Sequence, residues 1–320
     1  MKKILLILPL AAVLLLPSSG FGQAKVGTAG AQFLEIGVSA RAMGMGEAFL
    51  GVADDASVLY YNPAGLSLLT QKEAMFTHID YPAEINYEFA GLVFPAPQFA
   101  GTFGVSFYML GMDDMPVTGY NSRTGGFGGT GQTFTAKDYA FGLSYGAGLT
   151  DRFSLGLTVK YVAQYIEEES ATGWAADIGT YYDTGFRNFK ICMALTNFGP
   201  DMKFIEEPYP LPIDFRFGTS IDVVSTSSSQ LIFAAQASHP SDNLEKYNFG
   251  LEYWYSSLFA LRVGKKFNYD YYDDSETFGG MTYGAGARFN VSEWQLALDY
   301  AYQDLGWLDS VNRFSLGLKF

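Results

Sequence analysis

The last ten residues, Val311 to Phe320, alternate between two chemistries. Phe314, Leu316, Leu318 and Phe320 fall on one face of an extended chain, and Arg313, Ser315, Gly317 and Lys319 fall on the other. A period of two residues is the mark of a two-faced β-strand. The same texture recurs upstream. Phe153, Leu155, Leu157, Val159, Tyr161 and Tyr165 oppose Arg152, Ser154, Gly156, Thr158, Lys160 and Gln164. Tyr139, Phe141, Leu143 and Tyr145 oppose Ala140, Gly142, Ser144 and Gly146.

Fourteen such segments can be marked, at roughly 73–80, 85–94, 99–110, 134–149, 152–166, 173–183, 189–198, 211–222, 230–238, 246–255, 258–267, 278–289, 293–303 and 311–320. Most reach the ~9–11 residues that a tilted strand needs to cross a bilayer. Their number is even, as in single-chain bacterial barrels. A soluble sandwich also alternates, so the connections have to decide. The odd-numbered ones hold about 4, 23, 6, 12, 7, 10 and 7 residues, and the even-numbered ones about 4, 2, 5, 7, 2 and 3. Long outer loops against short periplasmic turns produce this parity, and a sandwich has no reason to. Aromatics near the strand ends, such as Tyr253, Tyr255, Tyr300 and Tyr302, suit a membrane–water interface. The expected fold is therefore all-β, a transmembrane antiparallel barrel of about fourteen strands in the outer membrane of a didermic bacterium.

Composition sharpens this. Hydrophobic residues make up 48% and aromatics 17%, yet after Leu16 no apolar run approaches the ~18 residues of a membrane helix. Met1-Lys2-Lys3, the apolar run Ile4–Leu16 and the small-residue site Gly22-Gln23-Ala24 read as a signal peptide over residues 1–24. Its removal would leave 18 basic against 33 acidic residues, a net charge of −15. Such acidity argues against a nucleic-acid partner, which demands basic patches. The lone Cys192 forms no internal disulfide and reads as a buried thiol.

Residues 25–70 do not alternate. Phe33 to Phe49 mixes Gly, Ala and Met in a helix-like pattern, and Asp55 to Tyr61 suits a short helix with Asp54 as N-cap. Asn62-Pro63 would end that helix, and Pro63-Ala64-Gly65 would turn the chain into the first strand. Three elements here carry a resemblance: Ala40-Arg41-Ala42-Met43-Gly44-Met45-Gly46-Glu47-Ala48-Phe49, Ala53-Asp54-Asp55-Ala56-Ser57, and Tyr61-Asn62-Pro63-Ala64-Gly65-Leu66. Together these elements, in a match that covers about 30 residues, resemble the PorV/PorQ family, within the FadL-like group of outer-membrane proteins. Glu47 stands where that pattern leads one to expect glycine, and reads as a neutral surface change. The resemblance implies a fourteen-stranded barrel over 71–320, with residues 25–70 folded into its lumen as a small helical plug. It also implies one of two roles: an accessory or binding component of type IX protein secretion, or, alternatively, FadL-like passive transport of hydrophobic small molecules. Neither is an enzymatic role. The implied partners are outer-membrane lipid, the barrel assembly machinery and secreted proteins or secretion-system components.

The candidate residues follow. Arg41, Gly44, Gly46, Asp54, Asp55, Asn62, Pro63 and Gly65 form the plug motif. Lys160, Asp177, Asp214, Arg216, Glu252, Arg262, Arg288 and Asp299 should face the lumen, with Arg313 and Lys319. Mixed signs at this density suggest pairing across the wall and around the plug, and argue against a continuous apolar tunnel. Arg41 is expected to meet Asp214, Glu252 or Asp299. Phe314, Leu316, Leu318 and Phe320 make the lipid-facing row of the last strand. Gly44-Met45-Gly46 lacks the lysine and preceding strand of a phosphate loop. Asp54 and Asp55 serve capping and wall contacts better than a cation. The acidic run 269–276 does not match a calcium loop, and His78 and His239 lie far apart. No cofactor and no metal is expected. Gly111 to Thr133, the longest connection, is the candidate contact loop.

Overall fold

An extended segment carries backbone N–H and C=O groups along both edges, and hydrocarbon offers them no partners. This chain satisfies them by closing a sheet on itself. The computed structural model describes residues 26–121, 123, 125–268, 279–306 and 309–320. In chain order the strands are β1 (Glu73–Tyr81), β2 (Ile85–Ala96), β3 (Gly101–Met112), β4 (Met115–Asn121), β5 (Gly126–Phe134), β6 (Ala136–Gly148), β7 (Phe153–Ile166), β8 (Glu169–Asp183) and β9 (Lys190–Phe198). There follow β10 (Met202–Lys203), β11 (Pro208–Tyr209), β12 (Asp214–Ser225), β13 (Ser229–Pro240), β14 (Lys246–Tyr255), β15 (Phe259–Phe267), β16 (Met281–Val291), β17 (Trp294–Asp304) and β18 (Ser310–Lys319). All except β4, β5, β10 and β11 form one closed, antiparallel, fourteen-stranded barrel. β1 closes it against β18, with Glu73 opposite Lys319 and Asp80 opposite Asn312.

The two faces separate as the alternation demands. Phe76, Leu157, Ile178, Phe217, Leu261 and Phe314 are exposed on the outside, whereas Thr77, Thr158, Asp177, Arg216, Glu252 and Arg262 are buried within. An apolar outer belt around a polar interior, with no open sheet edge, is the arrangement of an outer-membrane barrel. No helix among the described residues is long and apolar enough to cross a membrane.

Three connections differ from the sequence expectation. β8 begins at Glu169, so the β7–β8 connection shrinks to a turn with Glu167 at φ 54°. The contact loop at 111–133 is largely strand: β3 runs on to Met112, and β4 and β5 pair as a projecting hairpin. Tyr120 stands opposite Phe127 across this hairpin, and their rings are in contact. The stretch between β9 and β12 carries the small β10–β11 pair. It buries Met202, and its Pro210 carbonyl accepts from Gly30 N–H at 3.0 Å.

From Phe33 to Leu66 the N-terminal segment packs against the inward face of the barrel. It holds only short helical turns at Gln32–Glu35, Ala40–Gly44, Val58–Tyr61 and Pro63–Leu68. The helix-like pattern of 33–49 therefore over-reads. Ser39 caps the turn at Ala40 by accepting from Ala42 N–H at 3.3 Å. Gly46 at φ 64° and Glu47 at φ 63° then break it. Asp55, not Asp54, organises the next turn: its Oδ1 accepts from Ser57 N–H at 3.0 Å. The signal-peptide residues 1–24 and the acidic run 269–276 lie outside the described residues.

Candidate functional site

The N-terminal segment crosses the lumen and meets the wall at glycines. Gly44 faces Gly284, Met45 and Gly46 lie on Gly250 and Gly264, and Leu50 lies on Gly218. On the far side Pro63 and Ala64 lie on Gly156, and Asn62 lies on Gly179. A side chain at any of these wall positions would collide with the segment. The small members of the alternating pattern thus clear a path for it. Asn62 and Pro63 act as expected. Asn62 Oδ1 accepts from Ala64 N–H at 3.1 Å, and its Nδ2 donates to the Thr180 carbonyl at 3.1 Å. Gly65 packs on Val58.

Arg41 is the electrostatic centre of the segment. Its Nε and Nη2 grip both oxygens of Glu252, at 2.7 and 2.8 Å. Its Nη1 pairs with Asp54, and with Asp55 at 3.1 Å. Glu252 also accepts from Arg262 Nε at 2.7 Å, and Arg262 Nη1 reaches Asp299 at 2.6 Å. Of the three acids expected beside Arg41, only Glu252 is used. Asp299 is taken by Arg262, and Asp214 by its own strand neighbour Arg216 at 2.7 Å. Trp254 sits under this cluster, 4.1 Å from Arg288, 5.4 Å from Arg262 and 6.0 Å from Arg41. Two further lumen charges, Lys160 and Asp177, pair at 2.8 Å. The β8–β9 register shifts around Asp177, and this bulge turns its carboxylate to accept from Asn197 N–H at 2.7 Å.

Glu47 overturns its sequence reading. It is no neutral surface residue: its side chain is 15% exposed, and it pairs with Lys266 at 3.1 Å and with Arg313 at 3.6 Å. Its left-handed φ explains why glycine is the expected residue there, since a side chain in that region costs about 1–2 kcal/mol. Burial works against the charge of Glu47, but Lys266 and Arg313 outweigh it and hold the carboxyl below its ordinary range. Burial pushes the Glu35 carboxyl up, and Lys246, at 3.4 Å, offsets this only in part.

Above this floor opens a cavity of about 550 Å³ at the long-loop end. Ile36, Tyr81, Pro82, Ile85, Leu110 and Leu305 give it an apolar rim, and Glu35, Glu47, Lys246, Lys266 and Arg313 give it a charged floor. A smaller polar cavity lies below, lined by Tyr60, Asp214, Arg216 and Gln236 among others. Glu35, Glu47 and Lys246 border both, so they form a partition between this vestibule and the smaller cavity. Sequence reasoning missed this partition. Lys266 was legible as an inward member of its strand, but nothing in a linear pattern brings Glu35 and Glu47 beneath β1, β14 and β18.

The other candidates separate. His78 pairs with Glu88 at 2.7 Å and His239 with Glu245 at 3.2 Å, in different places. No cluster of three metal-ligating side chains occurs among the described residues. Cys192 is buried, and Phe314, Leu316 and Phe320 are exposed on the outer face, with Leu318 half-buried beside them.

No family model and no curated protein matches the sequence. Solved structures match the fold. A Pseudomonas aeruginosa FadL homologue aligns with a TM-score of 0.55 at 11% identity, covering 88% of this chain and 98% of that one. The Pseudomonas putida toluene transporter TodX aligns with a TM-score of 0.56 at 11% identity, covering 88% and 97%. The Ralstonia pickettii toluene transporter TbuX gives 0.54 at 12% identity, with the same coverage. The likeness extends over nearly the whole of each of these barrels, and at such identities it is a likeness of fold.

Proposed function

We propose that this barrel is a passive transporter of small hydrophobic molecules across the outer membrane. The observation that carries the reading is the vestibule. Its rim of Ile36, Tyr81, Ile85, Leu110 and Leu305 offers an apolar compound a place to leave water, on the side of the long loops. The barrels that share its fold include two toluene transporters, which supports the same direction. The lumen charges speak against a greasy tunnel, yet most are neutralised by one another and by the N-terminal segment. The barrier is then the thin partition at Glu35, Glu47 and Lys246, and transport needs that partition to shift. The test is uptake by proteoliposomes. Toluene or a similar neutral aromatic should enter faster than in protein-free vesicles, while a sugar of equal size should not. Leu110→Glu and Ile85→Glu should remove the difference. Equal uptake with and without the protein would end this reading.

The accessory role in protein export rests on the motif resemblance, and one observation favours it. The β4–β5 hairpin projects from the rim with Tyr120 and Phe127 exposed and in contact at 5.6 Å. A receptor for secreted proteins would use such a tip. Its replacement by a short Gly-Ser turn should then abolish partner capture and leave toluene uptake unchanged.

A further inference from the structure

The seam between β1 and β18 differs from its neighbours. β17 and β18 are joined by a short connection that helps set their register, but β1 and β18 meet from opposite ends of the barrel with no turn between them. Three inward polar residues of β18 span this seam, and each reaches both β1 and the N-terminal segment. Arg313 donates to Tyr81 of β1 at 3.2 Å and to the Gly37 carbonyl. Ser315 Oγ shares a hydrogen bond with Thr77 of β1 at 2.8 Å and accepts from Ala40 N–H at 2.9 Å. Lys319 pairs with Glu73 of β1 at 2.8 Å and reaches the Asp54 carbonyl at 3.5 Å. First strand, last strand and N-terminal segment therefore meet in three rungs.

We propose that the N-terminal segment is an internal template for barrel closure, which sets the register in which β18 docks on β1. A slip of one residue is already prevented, because it would turn Phe314 and Leu316 inward. A slip of two keeps every side chain on its proper face, so hydrophobicity cannot reject it. The rungs can. In the native register Ser315 stands opposite Thr77; two residues away it would face Met75 or Ile79. Gly37, Ala40 and Asp54 lie on the segment that precedes β1 and packs on the wall, so the segment offers β18 backbone partners at fixed heights. This role is independent of what the barrel transports.

The test refolds the full chain from urea into detergent micelles, in a Cys192→Ala background. Phe76→Cys with Leu316→Cys reports the native register, since these residues are directly opposed on the outer face. Ala74→Cys with Leu316→Cys reports the two-residue slip. Ala40→Pro deletes the N–H that Ser315 accepts. It does so at the first position of a helical turn, after an extended Ser39, where proline is tolerated. Ala40→Pro and Ser315→Ala should each slow native cross-linking by roughly fivefold, the factor for one hydrogen bond of about 1 kcal/mol, and raise the slipped cross-link. The control removes segment contacts far from the seam. Gln236 accepts from Phe49 and Leu50 N–H, and Ser220 donates to the Gly51 carbonyl. Gln236→Ala with Ser220→Ala should leave native cross-linking at the parent rate. An equal slowing in this control would reduce the segment to a general stabiliser. Native cross-linking at the parent rate in both seam variants would also overturn the proposal.

Discussion

Replacing Glu252 by Gln should be among the costliest single changes in the lumen. The carboxylate is fully buried and serves two guanidinium groups, Arg41 at 2.7 and 2.8 Å and Arg262 at 2.7 Å. Removing one partner of a buried ion pair costs about 3–5 kcal/mol, because the charge left behind has lost both water and counter-ion. Here two charges lose a partner. Each keeps another, however: Arg41 retains Asp54 and Asp55, and Arg262 retains Asp299. The expected loss is therefore toward the lower end, about 3 kcal/mol. The assay is urea unfolding of the refolded protein in detergent micelles, followed by the heat-modifiable gel band. Adding Arg262→Met removes one of the two stranded cations. The double variant should then be less destabilised than the two single losses combined, with a coupling of about 1 kcal/mol or more. A loss for Glu252→Gln below about 1 kcal/mol, the value of an ordinary hydrogen bond, would show that the network is not the anchor of the segment.

Leu316→Arg should impair membrane insertion by about 2–4 kcal/mol, because Leu316 faces lipid, whereas Gly317→Arg points inward; equal band shifts would refute the register. Glu47→Gly relieves a left-handed side chain but removes the carboxylate that Lys266 and Arg313 share, so it should raise single-channel conductance in planar bilayers, and an unchanged trace would refute the partition. The carboxyl of Glu47 is held below its ordinary value of 4.5. Its pairing is thus complete above that pH and fades as pH falls through the lower folded value. Acidification through that lowered value should therefore raise conductance in the parent chain and not in Glu47→Gly. Cys192 should resist thiol reagents in micelles and react on unfolding, as judged by mass shift.

The wall of this barrel was legible because strands have a short period and few exceptions. Residues such as Phe153 to Tyr165 fall on their faces by parity alone, and the inward charges from Lys160 to Asp299 followed from the same count. The interior was legible only in part. Parity says that Glu252 points inward, but not that Arg41 selects it over Asp214, because that choice depends on where a segment without periodicity comes to rest. Asp54 and Asp55 are adjacent and chemically alike, so local sequence could not say that both would turn to Arg41 while Asp55 alone also organises the turn at Ser57. Glu47 was misread for a related reason. A departure from glycine looks harmless until the backbone angle and the two cations opposite it are known.

The glycines of the wall have a consequence for how such barrels can change. Gly156, Gly179, Gly218, Gly250, Gly264 and Gly284 are a cast of the N-terminal segment, taken from the inside. A cast fits one object. Grafting the corresponding segment of another barrel onto these strands would set its bulky residues against filled positions and leave these hollows empty. Wall and segment can therefore drift only together, one small residue answering one large one. Loops such as the β4–β5 hairpin touch no part of the cast and are free to diversify.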